Sequence, residues 1–154
     1  MKKLMVVMAA MAIFIVTATV ASAGGTQDVD VTAQITGTCM FNSAGDVDFG
    51  ALDQSSAIDS TASGSLEFWC TKSATYTLGD ETNSGVGDGA FSGSMSNGGT
   101  GTIAYALAYN NYTGSGAGKT APITSTINGT ILNADYVDAE AGSYTDTVTF
   151  TIAP

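Results

Sequence analysis

Asp80, Glu81, Asn83 and Asp88 place several oxygen ligands close together, a set that could hold calcium, although their spacing is not that of a calcium loop. Asp46 with Asp48, and Asp135 with Asp138, are the nearest approach to the paired carboxylates that hydrolyse glycosides, and both pairs lie in turn-like sequence. The chain has no histidine, so Ser–His and Cys–His nucleophile pairs cannot form. Cys39 and Cys70 alone cannot supply a zinc site of the usual kind. Asp48-Phe49-Gly50 spells the metal-binding tripeptide of kinases, but no nucleotide loop, strand lysine or catalytic loop accompanies it, and it reads as a strand-to-turn junction. The glycines between Gly85 and Gly101 lack the G-K-[ST] ending of a phosphate loop. Asn111-Tyr112-Thr113 and Asn128-Gly129-Thr130 match the glycosylation sequon, which matters only in a host that modifies it. The expectation is a protein without catalytic residues, cofactor or metal.

Composition points the same way. Lys2 and Lys3, the apolar run Leu4 to Val20 and Ala21-Ser22-Ala23 have the three parts of a signal peptide over residues 1–23. Its removal takes two lysines from a chain of net charge −10, which leaves −12. Such a surface repels phosphate backbones and excludes nucleic acid as a partner. In the oxidising compartment that export implies, Cys39 and Cys70 are expected to pair, with two buried thiols as the alternative.

The elements that must position these residues are short, β-type and separated by Gly, Ser, Asn and Asp. In Asp28–Thr36 the apolar residues Val29, Val31, Ala33 and Ile35 take every second position, which sets them on one face of a strand. Further strands are expected over Gly37–Phe41, Val47–Leu52, Ser65–Cys70, Thr75–Leu78, Thr102–Tyr109, Thr124–Leu132 and Tyr144–Ile152. In the last of these, Val148, Phe150 and Ile152 alternate. Residues 79–101 read as a long loop interrupted by a weak strand at Phe91–Met95, and Gly114–Gly118 as another loop. The pattern predicts one all-β domain, an antiparallel sandwich without helices.

Gly37-Thr38-Cys39, Val47-Asp48-Phe49-Gly50, Phe68-Trp69-Cys70-Thr71, Tyr105-Ala106-Leu107 and the run from Ala141 through Gly142, Tyr144 and Asp146 to Val148 together resemble the spore coat protein U domain. That is the fold of archaic-type chaperone–usher pilins. The chain departs from the pattern in the glycine-rich loop Asp80–Gly101 and in the ending Ala153-Pro154.

The resemblance implies an immunoglobulin-like antiparallel β-sandwich that lacks its final strand and is completed by a donated N-terminal one. It divides the chain into a signal peptide (1–23), a donor segment (24–37) and the sandwich (38–154). Val29, Val31, Ala33 and Ile35 are the implied donor residues, and Val148, Phe150 and Ile152 border the acceptor groove. The implied partners are identical or related subunits, a periplasmic chaperone and an outer-membrane usher. The implied destination is the periplasm and then the cell surface, as a fibre that serves adhesion or biofilm formation. Two other readings stay open. One is a spore-coat or matrix protein with the N-terminal strand paired in cis; the other is a small carbohydrate-binding module using Trp69, Tyr109 and Tyr112.

Overall fold

Ile103, Tyr105, Leu107 and Tyr109 are buried, and Thr102, Ala104, Ala106 and Ala108 between them are exposed. This strict alternation marks a strand with one face on a core and one in water. The computed structural model describes residues 24–82 and 87–154, and residues 1–23, expected to be a signal peptide, and Asn83 lie outside them. The chain divides into two units, Met1–Ala33 and Gln34–Pro154. In the first, the described residues 24–33 carry no secondary structure and are exposed.

The second unit holds β1 (Cys39–Gly45), β2 (Ser60–Cys70), β3 (Thr75–Asp80), β4 (Ala90–Ser96), β5 (Thr102–Tyr109), β6 (Thr113–Ser115), β7 (Ile123–Ile131), α1 (Asn133–Tyr136) and β8 (Phe150–Ala153). They form a five-stranded sheet of order β1-β2-β7-β5-β4 and a three-stranded sheet of order β6-β3-β8, with every pairing antiparallel. The core between them is built from Leu66 and Phe68 of β2, Tyr76 and Leu78 of β3, Phe91 of β4, the inward residues of β5 and Ile127 and Ile131 of β7. Phe68 and Tyr76 meet edge to face across the two sheets, ring centres 5.1 Å apart. The expected all-β sandwich is present.

Several local expectations change. Residues 28–36 are not in a strand, since an alternating segment becomes one only when a neighbour supplies the ladder. Val47 and Phe49 keep the alternation, which breaks at the exposed Gly50 and Ala51 before the half-buried Leu52, and no strand forms over 47–52. Asp48 instead accepts the Gly50 N–H (2.8 Å), and Gly50 adopts φ of +65°. This Asx turn ends the extended run. The weak strand at 91–95 is a full seven-residue β4, paired with β5 along its length. β6 occupies part of the expected loop 114–118, and α1 is a short turn of helix the sequence did not announce. The final strand starts at Phe150 rather than Tyr144; only Thr145 makes a bridge before it, to Ser96.

Candidate functional site

The first half of the last segment and the stretch after β1 face each other without being joined. Among the described residues neither 46–52 nor 146–149 belongs to a strand, yet both bring apolar side chains to the core from one side of the sandwich. Between them runs an open groove made of two clefts, about 640 Å³ and about 340 Å³, that share Val47, Phe49 and Met95. The smaller one is lined by Leu66, Tyr105, Leu107, Ile127, Val148 and Phe150, all from the core. Val148, Phe150 and Ile152, the residues expected to border an acceptor groove, are each only half-buried. Ile152 lies in β8 but does not line the clefts.

The floor of the groove is the inner face of the large sheet, and two glycines shape it. A Cβ on Gly129 would lie 2.6 Å from the Phe49 ring and 2.8 Å from Val47 Cγ1. A Cβ on Gly64 would lie 2.7 Å from the Gly45 carbonyl oxygen and 2.9 Å from Val47 Cγ2. The missing side chains let the 45–49 segment sink onto β2 and β7, so Val47 and Phe49 form one wall of the groove.

One tyrosine–carboxylate pair fixes the other wall, and a second lies in the core beyond it. Tyr105 donates to Asp146 Oδ2 (2.6 Å), which anchors the start of the last segment to β5. Tyr109, four residues further along β5 and therefore on the same face of the strand, donates to Asp80 Oδ2 (3.0 Å). Asp80 is fully buried, and its Oδ1 accepts from the Thr82 N–H and hydroxyl. Its carboxylate is thus built into the sandwich rather than set out for calcium, and Asn83 is outside the described residues.

Burial first, and then the carboxylate each touches, push both phenols well above the ordinary tyrosine range. A raised folded-state value gives stability that is complete below about pH 10 and is lost as pH climbs through the raised values. Thermal unfolding followed between about pH 9 and pH 12 is therefore expected to show a steep alkaline loss of stability. The loss is expected to flatten in a Tyr105→Phe/Tyr109→Phe variant; equal slopes in the two proteins would refute this assignment.

Cys39 and Cys70 sit directly opposite on β1 and β2, Cα atoms 4.1 Å apart, and are joined as a disulfide. The neighbouring pair is held by the Thr71 N–H donating to Thr38 O (2.8 Å), so the cysteines take the closer, non-hydrogen-bonded position of the ladder. Val29, Val31 and Ile35 are 81%, 91% and 84% exposed, and Ala33 is exposed as well. Of the aromatic residues considered for sugar binding, Tyr109 is buried, Trp69 is half-buried with Lys119 over its ring, and Tyr112 is exposed. Of the motif residues, Asp48, Phe49, Gly50, Gly142 and Tyr144 line the larger cleft, and Tyr105 and Asp146 the smaller. The open side of the sandwich is therefore where these motifs converge.

A two-sheet sandwich open along one side, with its sequence motifs gathered at the opening, is the architecture to set beside known families. The Spore Coat Protein U domain family model matches residues 25–151, and the chain belongs to this family of spore-coat and pilus-type surface proteins. No curated protein matches the chain. Among the described residues no helix is long and apolar enough to cross a membrane.

Proposed function

We propose that this chain is a non-catalytic structural subunit of a surface fibre, polymerised by strand donation from one copy to the next. The observation that supports this most is the groove between 44–55 and 139–150. It exposes core side chains between two extended stretches that lack a strand partner among the described residues. An inserted strand supplies both missing things: hydrogen-bond partners for the stretches and alternate side chains for the floor. The exposed Val29, Val31, Ala33 and Ile35 have the alternation such a strand needs. Three branched side chains and an alanine contribute roughly 5–8 kcal/mol on burial, before ordering costs. A chaperone covers the groove before assembly, and an usher exchanges it for the next subunit, in a route from periplasm to cell surface. Adhesion or biofilm formation is the use that such a fibre serves.

The reading of a self-complemented coat protein is separated by one experiment. The mature protein 24–154 and a form lacking 24–37 are produced in the periplasm and run on gel filtration and non-boiled gels. The expected result is a ladder of polymers for the first, collapsing on boiling, and none for the second. A stable monomer that unfolds on truncation would instead place the strand in its own sandwich.

A further inference from the structure

The sandwich has two chemically different ends. At one end lie Gly37 and Thr38, where the N-terminal segment meets β1. Ideal Cβ placement on Gly37 would touch Ala74 and Pro154, and the Thr38 N–H donates to Thr71 Oγ1 (3.0 Å). The only two basic residues among the described ones, Lys72 and Lys119, are both exposed at this end. Lys72 follows Thr71 directly and its Cβ lies beside Gly118, while Lys119 stands 5.9 Å from the centre of the Trp69 ring.

At the other end, segments 53–59 and 132–140 are tied together. Asn133 donates its N–H to Asp59 Oδ1 (2.8 Å) and its amide to Ser56 O (2.7 Å), and Gln54 bonds to Tyr136 O and Ala139 O. These segments carry five exposed carboxylates, Asp53, Asp59, Asp135, Asp138 and Glu140, and no lysine or arginine. They also carry three of the exposed large apolar side chains, Ile58 (72%), Leu132 (52%) and Val137 (37%). Apolar residues ringed by charge are the composition of a docking surface rather than of an idle one.

We propose that the lysine-bearing end of one copy docks on the acidic, apolar-centred end of the next, as a second contact between consecutive subunits. The inference rests on the strand-donation reading above, and its occupant is a second copy of this chain. Only Thr36, Gly37 and Thr38 separate the last donor residue, Ile35, from β1. That linker reaches about 10 Å when extended, so the lysine-bearing end must lie against whichever end of the acceptor the donor strand leaves.

β8 runs towards the lysine-bearing end, where Pro154 meets Gly37, and the larger cleft opens at the acidic end beside Asp53 and Glu140. A donor strand antiparallel to β8 therefore leaves at the acidic end and brings lysines to carboxylates. A parallel strand would bring lysines to lysines. Charge selects the first orientation, and in a protein of this net charge the two lysines are what steers the encounter.

The test compares the mature full-length parent with four variants for rate of polymer formation in low salt. The double reversal Lys72→Glu/Lys119→Glu is expected to slow assembly about tenfold, with the difference fading towards 0.5 M salt (about one Debye length of 4 Å). The swap Lys72→Glu/Lys119→Glu/Asp135→Lys/Asp138→Lys has the net charge of the parent and is expected to restore the rate. A Ser92→Glu/Ser94→Glu control on the outer face of the large sheet adds two negative charges away from both ends, half the net-charge change of the reversal, and reports what added charge does there. Leu132→Ser is expected to slow assembly at all salt concentrations. Circular dichroism and the intact disulfide verify folding of each variant. If the reversal assembles like the control, or the swap fails to rescue a folded protein, the docking contact is refuted while polymers still form. If removal of 24–37 leaves polymers unchanged, it is the strand-donation reading that fails.

Discussion

A single charge in the donor segment, Val31→Asp, is expected to abolish polymer ladders while leaving the folding of the single subunit unchanged. Val31 is 91% exposed in the lone chain, so the substitution removes no packing there and buries no charge. On the strand-donation reading, the same position enters a groove lined by core side chains such as Leu107 and Ile127. An unpaired carboxylate in such surroundings forfeits about 1.5–3 kcal/mol of apolar burial and adds the larger cost of desolvating a charge. The expected signature is a split between two measurements. The thermal midpoint of the monomer stays within about 1 °C of the parent, consistent with a surface substitution, and non-boiled gels show no species above monomer. Val31→Ile, which keeps the apolar face, is expected to preserve the ladder. A Val31→Asp protein that still forms ladders would remove residues 28–36 as the donor.

The largest effect on the subunit itself is expected from Cys39→Ala/Cys70→Ala. The two cysteines are 31 residues apart, and closing a loop of that size stabilises the fold by about 3–4 kcal/mol in the chain-entropy account. The bond also has a local task. β1 is an edge strand, its residues beyond Cys39 are all exposed, and its ladder to β2 is interrupted between Phe41 and Ser43. Little apolar burial therefore holds it in place, whereas Cys70 is completely buried in the core. Without the disulfide, the strand that follows the N-terminal segment on one side and leads into the Val47–Phe49 wall on the other is free to fray. Urea unfolding of oxidised and cysteine-free proteins checks the magnitude. Limited proteolysis is expected to cut within 39–50 in the cysteine-free form first. Equal stability of the two would show that β1 is held by its ladder alone.

The alternation of β5, β7 and the C-terminal half of β2 was legible because period-two burial is a local property: each residue's face follows from its neighbours. Glycine and asparagine between these runs marked the turns for the same reason. The motifs around Asp48, Tyr105, Gly142 and Asp146 could be read as belonging together, but not why. Their common place at the open side depends on the fold of the whole sandwich. Gly64 and Gly129 carried no signal beyond their identity, since what they admit is a segment distant in sequence.

What the sequence by itself determined was the all-β class, the inward sets of its strands, the absence of histidine chemistry and the alternation of Val29, Val31, Ala33 and Ile35. The tertiary structure decided which alternating segments become strands. Residues 47–49 and 146–149 have the pattern and lack the partner, because a ladder needs a second chain segment at 4.7–4.9 Å and no local rule supplies one. It also decided that Asp80 is a buried partner of Tyr109 and not an exposed ligand, and that carboxylates gather at one end and lysines at the other. Burial and charge distribution arise only when distant segments are brought together.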